Sequence, residues 1–463
     1  MIKLQYGRMF RDALDQEHGL DRGRLVQLAH RFAEVQAEVR RRRSAGEYGF
    51  YRLVDQGPTV KAIRAFAEGL GQAHDHVLVL GIGGSALGTK ALLNALRPPA
   101  WNELDDEGRE FFPRLTVLEN VDPTSVAAAL ERIDPRRVLV NVISKSGGTA
   151  ETMAQYLVVR AWLERTLGAA AYRHLVFTTD PERGALRQLA QRDHIATLEV
   201  PPEVGGRFSV LSPVGLLPAA LVGIDIDGLL QGARRVLERT DSNDLLQNPA
   251  ALYAALHWEA DVRHQARVHV LMPYTDRLRE FAEWYRQLWA ESLGKRVDRE
   301  GRTVHVGPTP VAAVGATDQH SQVQLFMEGP FDKVITFMTV EQLSAEVHIP
   351  ASETGAELPP DLAYLPGHTL GELLKAEYQA TSTALAQMGR MNCTLHLPDL
   401  SAATIGEALM FFQLATGYAG VWYGIDPFDQ PGVELGKRLT YAAMGRPGYE
   451  PATSKPSGNR DEV

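Results

Sequence analysis

Within FAEWYRQLWAESLGK, residues 281–295, Glu283, Gln287 and Glu291 recur at four-residue spacing and share one face of a helix. Gly294 would end that helix and place Glu291 near its terminus, at the mouth of a cleft. The neighbours Leu288, Trp289 and Leu293 favour partial burial of the carboxyl, the setting of a useful general base; an ordinary surface glutamate is the competing reading. Arg207 follows Gly205 and Gly206, which let backbone come close to a ligand, and is a candidate for a functional role. His320 in TDQHSQVQL begins another helical pattern and on its own reads as a capping or half-buried histidine, and Lys437 on its own as a surface lysine of a C-terminal helix.

A second group of residues points to an anion. The stretch 138–152, VLVNVISKSGGTAET, begins as an apolar run of the kind found in a buried parallel strand and turns abruptly into hydroxyls, glycines and one lysine. Ser144, Ser146 and Thr149, with Lys145 beside them, then stand where a helix start directs its free N–H groups and the positive end of its dipole. That is a phosphate site, or a plain N-capped helix. Upstream, GIGGSALG (81–88) leaves another strand and adds Gly84 and Ser85. Its Gly81-x-Gly83-x-x-Ala86 spacing meets a relaxed dinucleotide pattern, so a nicotinamide dehydrogenase is an alternative, but the second strand ends at Glu119, well beyond the expected interval of about 20 residues. It is not a P-loop, because Gly88-Thr89-Lys90 has the lysine in the wrong place. Two hydroxyl-bearing glycine loops suit a monophosphate better than a pyrophosphate.

The elements that must carry these residues follow a βαβ rhythm. Strand-like runs at 77–80, 115–118, 138–143, 175–178 and 195–200 are separated by helical lengths, and residues 268–272 and 334–338 repeat the style. Helical spacing is evident at 25–39, 60–73, 213–222, 277–293, 318–327, 370–388, 404–418 and 433–444, and the polar tail after Pro447 reads as loose. The expected class is α/β, with two doubly wound parallel-sheet domains and a helical C-terminal extension. The expected division is a helical N-terminal segment 1–60, a first α/β domain 61–225 with the phosphate loops, a second 226–430, and a C-terminal helix and tail 431–463, with the transition in the charge-rich stretch 224–249.

Composition limits the partners. The chain has 463 residues, 44% of them hydrophobic, and its 48 basic and 57 acidic residues leave a net charge of −9, against a general nucleic-acid or anionic-membrane binder. No apolar run reaches membrane-spanning length, no secretory leader is evident, and the single Cys393 excludes an internal disulfide; a reducing, cytoplasmic setting is expected.

Taken in order, GIGGSALG, ISKSGGTAET, GGRFSVLSPVGLLP, QLWAESLGK, DQHSQVQL and FDQPGVELGK closely resemble the glucose-6-phosphate isomerase family from about residue 81 to 437. The resemblance implies paired sugar-isomerase (SIS) domains and the glycolytic and gluconeogenic exchange of glucose 6-phosphate with fructose 6-phosphate through a cis-enediol. It implies Glu291 as proton-transfer base, Arg207 as enediolate stabiliser, and His320 and Lys437 as the ring-opening pair. Substrate contacts would come from Gly84, Ser85, Ser144, Lys145, Ser146, Thr149, Gln287 and Gln430. It further implies a homodimer in which His320 crosses the interface, and chemistry that requires no metal, nicotinamide or covalent nucleophile. This chain departs from the family's common pattern at Gly148 and Ala150, where threonines are usual, and at Pro431, where tryptophan is. A non-catalytic sugar-phosphate-binding regulator would need the phosphate loops but not Glu291, His320 and Lys437.

Overall fold

The structure is a computed structural model that describes residues 1–14, 17–69, 73–351 and 358–450. The tail expected to be loose after Pro447 lies, from residue 451 on, outside the described residues, as do positions 70–72 of the helix expected at 60–73. The chain divides into two units, Met1–Pro427 and Phe428–Val463.

The larger unit is built on two five-stranded sheets and a two-stranded ribbon. Its strands are β1 (Lys3–Gln5), β2 (His76–Leu80), β3 (Arg114–Leu118), β4 (Val138–Ser144), β5 (Leu175–Thr179), β6 (Ala196–Glu199) and β7 (Val268–Pro273). There follow β8 (Lys295–Val297), β9 (Thr303–Val306), β10 (Thr309–Ala312), β11 (Lys333–Val340) and β12 (Asn392–Leu397). One sheet runs β3-β2-β4-β5-β6 and is parallel throughout. The other runs β1-β12-β11-β7-β10, parallel except for β1, which pairs antiparallel with β12.

Among the parallel strands of each sheet the chain starts in the interior, adds one strand on one side, and then crosses to build outward on the other. Such an order reverses direction between β2 and β4 in the first sheet and between β7 and β11 in the second, the positions at whose carboxyl edge sheets of this kind hold ligands. Every residue of β4 is buried, as a central parallel strand with both faces covered requires. Leu78, Val140, Val142 and Phe177 from the strands pack with Tyr156, Val159 and Leu163 of the helix Ala150–Leu167 to form the first core.

Between the sheets the helices, rather than a linker, provide continuity. The stretch expected to mark a domain transition contains the helix Ile226–Arg239, whose strongly one-sided apolar pattern buries Leu229, Leu230, Ala233 and Val236. It packs on Ala402–Tyr423, a helix apolar around its whole circumference and buried along almost all of its length, which also receives Pro249–His264. Asp227, Arg234, Glu238 and Arg239 lie on the exposed face of the helix Ile226–Arg239, so a charge-rich composition alone does not distinguish it from a connection. The N-terminal segment, expected to be helical, holds the helix Arg22–Ser44 but also places β1 at the edge of the second sheet, more than 380 residues from its partner in sequence.

The smaller unit contains the turn Pro431–Val433 and the helix Glu434–Ala443.

Candidate active site

Two loops leave the carboxyl ends of neighbouring strands at the first sheet's switch point. Leu80 lies opposite Val142, so the turn Gly83–Ser85 after β2 and the loop 144–149 after β4 emerge side by side. The second loop is organised by its own hydroxyls. Thr149 is the N-cap of Ala150–Leu167, yet its side chain makes no capping bond. Its Oγ1 instead lies 3.1 Å from Ser144 Oγ and 3.4 Å from Ser146 Oγ. Three hydroxyls therefore cluster over a helix start whose first N–H groups are left for another acceptor, the arrangement an anion requires and a capped helix does not.

The loop's shape is held by contacts from outside it. Thr179 Oγ1 donates to the Ser144 carbonyl at 2.7 Å. Gly147 has a φ of +64°, a conformation that favours glycine, and packs on Gly184, where any Cβ would overlap the Ser146 carbonyl oxygen. Lys145 turns its ammonium to the carbonyls of Pro202 and Val204, at 2.6 and 2.8 Å. It thus ties the anion loop to the segment that leads into Gly205-Gly206-Arg207. Burial lowers its pKa from the ordinary lysine value, with Asp180 and Glu203 opposing that shift.

Gly84 packs directly on the Gly206 carbonyl, with no room for a Cβ between the two backbones. That close approach brings the loop of Ser85 to Arg207, which is buried in the turn Gly206–Phe208. Arg207 Nη1 lies 3.5 Å from Glu291 Oε1. Its Nε donates to Ser292 Oγ at 2.7 Å and its Nη2 to the Pro427 carbonyl at 2.6 Å. The guanidinium side chain is 2% exposed and that of Glu291 27%, so a buried fixed cation sits behind a carboxylate that a ligand can reach.

Glu291 is presented by the helix Arg279–Leu293, which buries Phe281, Trp284, Tyr285, Leu288 and Trp289 and ends where the Gly294 N–H bonds the Ala290 carbonyl. Off that buried stripe, Gln287 and Glu291 meet on one face, with Gln287 Nε2 donating to Glu291 Oε2 at 3.1 Å. A Cβ on Gly83 would lie 2.8 Å from Gln287 Nε2, which joins this helix to the first glycine loop. Lys295 Nζ donates to the main-chain oxygen of Glu291 at 2.9 Å. Glu283, on the same face by spacing, is paired with Arg286 instead.

The structure thus brings Gly84, Ser85, Arg207, Gln287 and Glu291 together, and places Ser144, Lys145, Ser146 and Thr149 on the adjoining strand end. His320 is exposed at the end of the turn Thr317–His320, and among the described residues no side-chain hydrogen bond joins it to Arg207 or Glu291. Gln430 and Lys437 belong to the smaller unit, where Lys437 pairs with Glu434 at 2.7 Å. Sequence reasoning did not single out Gly184, Thr179 or Ser292. Gly184 stands in an unremarkable Pro-Glu-Arg-Gly turn, and Ser292 in the quoted ESLGK segment, where adjacency to Glu291 was the available signal. Among the described residues no helix is long and apolar enough to cross a membrane, and no group of histidine, cysteine and carboxylate side chains is arranged to hold a metal ion.

Known proteins resemble this chain over most of its length. The profile of the family described as "PGI: Phosphoglucose isomerase" matches residues 60–454. A glucose-6-phosphate isomerase of Carboxydothermus hydrogenoformans is 43% identical over 450 residues, covering 97% of this chain and 96% of the relative. One from Rubrobacter xylanophilus is 48% identical over 404 residues, covering 87% and 90%. Among solved structures, a hypothetical protein from Thermus thermophilus superposes with a TM-score of 0.82 at 38% identity, covering 96% of this chain and all of that one. A glucose-6-phosphate isomerase from Chlamydia trachomatis gives 0.71 at 25% identity, covering 84% and 73%. With a profile match spanning both sheets and relatives this similar along nearly their full length, the chain belongs to the phosphoglucose isomerase family.

Proposed function

We propose that this protein interconverts glucose 6-phosphate and fructose 6-phosphate through a cis-enediol. The observation that carries the reading is the Arg207–Glu291 pair, a buried guanidinium 3.5 Å from a partly exposed carboxylate, set beside hydroxyl-rich loops suited to a phosphate. Aldose and ketose differ by the position of one proton between C1 and C2, and one carboxylate on one face of the substrate can remove it from either carbon and return it to the other. Glu291 has that role. Negative charge then gathers on the enediolate oxygens, and Arg207, already fixed and desolvated, stabilises it more than it stabilises the sugar.

Ser144, Ser146 and Thr149, with Gly84 and Ser85, receive the phosphate. Lys145 serves them through its side-chain tie to the Pro202 and Val204 carbonyls. Gln287 and Gln430 contact the sugar. Ring opening takes a donor to the ring oxygen and an acceptor from the C1 hydroxyl, the work assigned to His320 and Lys437; His320 would act in the partner's site of a homodimer. Residues 61–225 and 226–430 are read as the paired sugar-isomerase domains, flanked by 1–60 and 431–463.

The test is a coupled assay of glucose 6-phosphate formation from fructose 6-phosphate, run in parallel with solvent deuterium incorporation at C2. Turnover with incorporation is expected. Binding of glucose 6-phosphate without any C2 exchange would overturn the reading, and a sedimentation measurement showing only monomer in the active preparation would overturn the dimer. Repeating the assay with mannose 6-phosphate reads the substrate breadth.

A further inference from the structure

Arg207 Nη1 and Glu291 Oε1 stand 3.5 Å apart, whereas a charge-assisted bond between such groups closes to about 2.7–2.9 Å when nothing prevents it. Both side chains are long, and a buried arginine beside a carboxylate is drawn toward it. The restraint lies on the other edge of the guanidinium. Nε is bound by Ser292 Oγ and Nη2 by the Pro427 carbonyl, two neutral acceptors. Ser292 is fully buried and Arg207 is 4% exposed, so water does not substitute for either acceptor. Ser292 directly follows Glu291, which means that the last turn of one helix carries both the carboxylate and the hydroxyl that holds the cation back from it.

We propose that Ser292 is a positioning residue for the isomerisation: its hydroxyl fixes Arg207 at a stand-off from Glu291, so that the guanidinium faces the enediolate instead of closing on the base. The proposal rests on the functional reading given above. Without the hydroxyl, the Nε–H loses this acceptor and the guanidinium turns toward Glu291. Lys295 reaches the backbone oxygen of Glu291, and Lys90, on the helix Leu87–Leu96 packed against the same helix, is bound to Glu119 and Glu280. Gln287, neutral, holds the second carboxylate oxygen.

The experiment compares the wild type with Ser292→Ala and with Ser292→Thr, which keeps a hydroxyl. For Ser292→Ala, kcat is expected to fall roughly tenfold to a hundredfold, as for a misplaced catalytic group, with little change in KM or in inhibition by inorganic phosphate. The acid limb of its kcat/KM profile should move to lower pH, because a closer cation favours the ionised carboxylate. Ser292→Thr should recover a substantial part of both, with circular dichroism showing that each variant is folded. A carbon-13 titration of the Glu291 carboxylate in the wild type and Ser292→Ala reads the same stand-off without turnover. A lower midpoint in the variant supports the positioning role even if the wild type fails to isomerise, which would sink the functional reading alone. An unmoved midpoint, or a kcat equal to wild type in a folded Ser292→Ala protein, overturns the proposal.

Discussion

Gln287 Nε2 donates to Glu291 Oε2 from one helical turn away, while its own Oε1 is buried with no partner among the described residues. A buried carbonyl oxygen left unbonded costs about 1–3 kcal/mol, so this atom is poised to accept from a sugar hydroxyl. The amide thereby links the substrate to the base. Replacing Gln287 with glutamate sets a second carboxylate against Glu291. Like charges disfavour ionisation of both, and the acid limb of the kcat/KM profile should move to higher pH, by about one unit or more. A pH–rate comparison of the two proteins checks the direction. A limb that stays in place would mean the two side chains do not share the reacting state.

Glu291→Gln keeps the size and hydrogen-bonding outline of the side chain but cannot carry a proton from one carbon to the other. The expected loss in kcat is about 10²–10⁴-fold, the usual weight of a positioned acid–base group. Inhibition by inorganic phosphate should persist, because the hydroxyl loops lie on different elements. Steady-state kinetics with phosphate as competitor measures both. A variant that retains wild-type turnover would remove Glu291 from the mechanism.

Thr149→Val separates binding from stability. An N-cap hydroxyl ordinarily contributes about 1 kcal/mol to its helix, but Thr149 makes no capping bond, so the melting temperature should barely change. Its hydroxyl is instead part of the Ser144–Ser146–Thr149 cluster, and hydrogen bonds to a charged group are worth about 1.5–3 kcal/mol. KM should therefore rise by one to two orders of magnitude with kcat little affected. A large drop in melting temperature with KM unchanged would show that the residue is a structural cap after all.

What could be read from the sequence, and what could not, divides along the range of the interactions. The β4 strand and the hydroxyl loop after it were legible because a buried run followed by Ser, Gly and Thr is a local pattern, and the Gln287–Glu291 face because helical spacing is local too. The stand-off at Arg207 was not, since it depends on Ser292 and Pro427, 85 and 220 residues away. The side-chain role of Lys145 shows the same limit. In sequence it reads as a cation beside a phosphate, whereas its ammonium is engaged by carbonyls at 202 and 204 that only folding brings near. Strand β1 was missed because three residues carry too little periodicity, and its partner β12 lies at the far end of the same unit. The smaller glycines divide similarly: Gly83 and Gly84 stood out within a motif, but Gly184 matters only through Ser146.

Two glycines make opposite predictions about the phosphate site. At Gly84 a Cβ would overlap the Gly206 carbonyl and lie 2.6 Å from the Arg207 nitrogen, backbone that cannot rotate away. Gly84→Ala should push the two loops apart, displace Arg207 and lower kcat/KM sharply. At Gly148 the nearest atom to a built Cβ is the Ser146 carbonyl at 4.0 Å, so a side chain fits there. Gly148→Thr restores a hydroxyl next to the cluster and should lower KM without loss of folding. Kinetics on the two variants side by side check the contrast, and equal tolerance at both positions would contradict the close packing of Gly84 on Gly206.

His257 gives the fold an acid sensitivity that is separate from catalysis. Its ring is buried beneath the helix that carries Glu291, between the Tyr253 carbonyl and Thr336 Oγ1, at 2.9 and 3.2 Å. Burial pushes its pKa down to about 4, with the bond to the Tyr253 carbonyl opposing the shift. In the unfolded chain the ring titrates near 6.5. Between those values the unfolded state binds a proton that the native state refuses, so stability is fully present above about pH 6.5 and is lost as the pH falls toward 4. The contribution is on the order of 3 kcal/mol over that window. His76, also pushed down to about 4 by burial and by Arg114 and Arg109, adds in the same direction. Denaturant unfolding across this range should show falling stability for the wild type and a shallower slope for His257→Gln, whose amide can still bond both partners. Identical slopes in the two proteins would show that His257 is protonated in the native state.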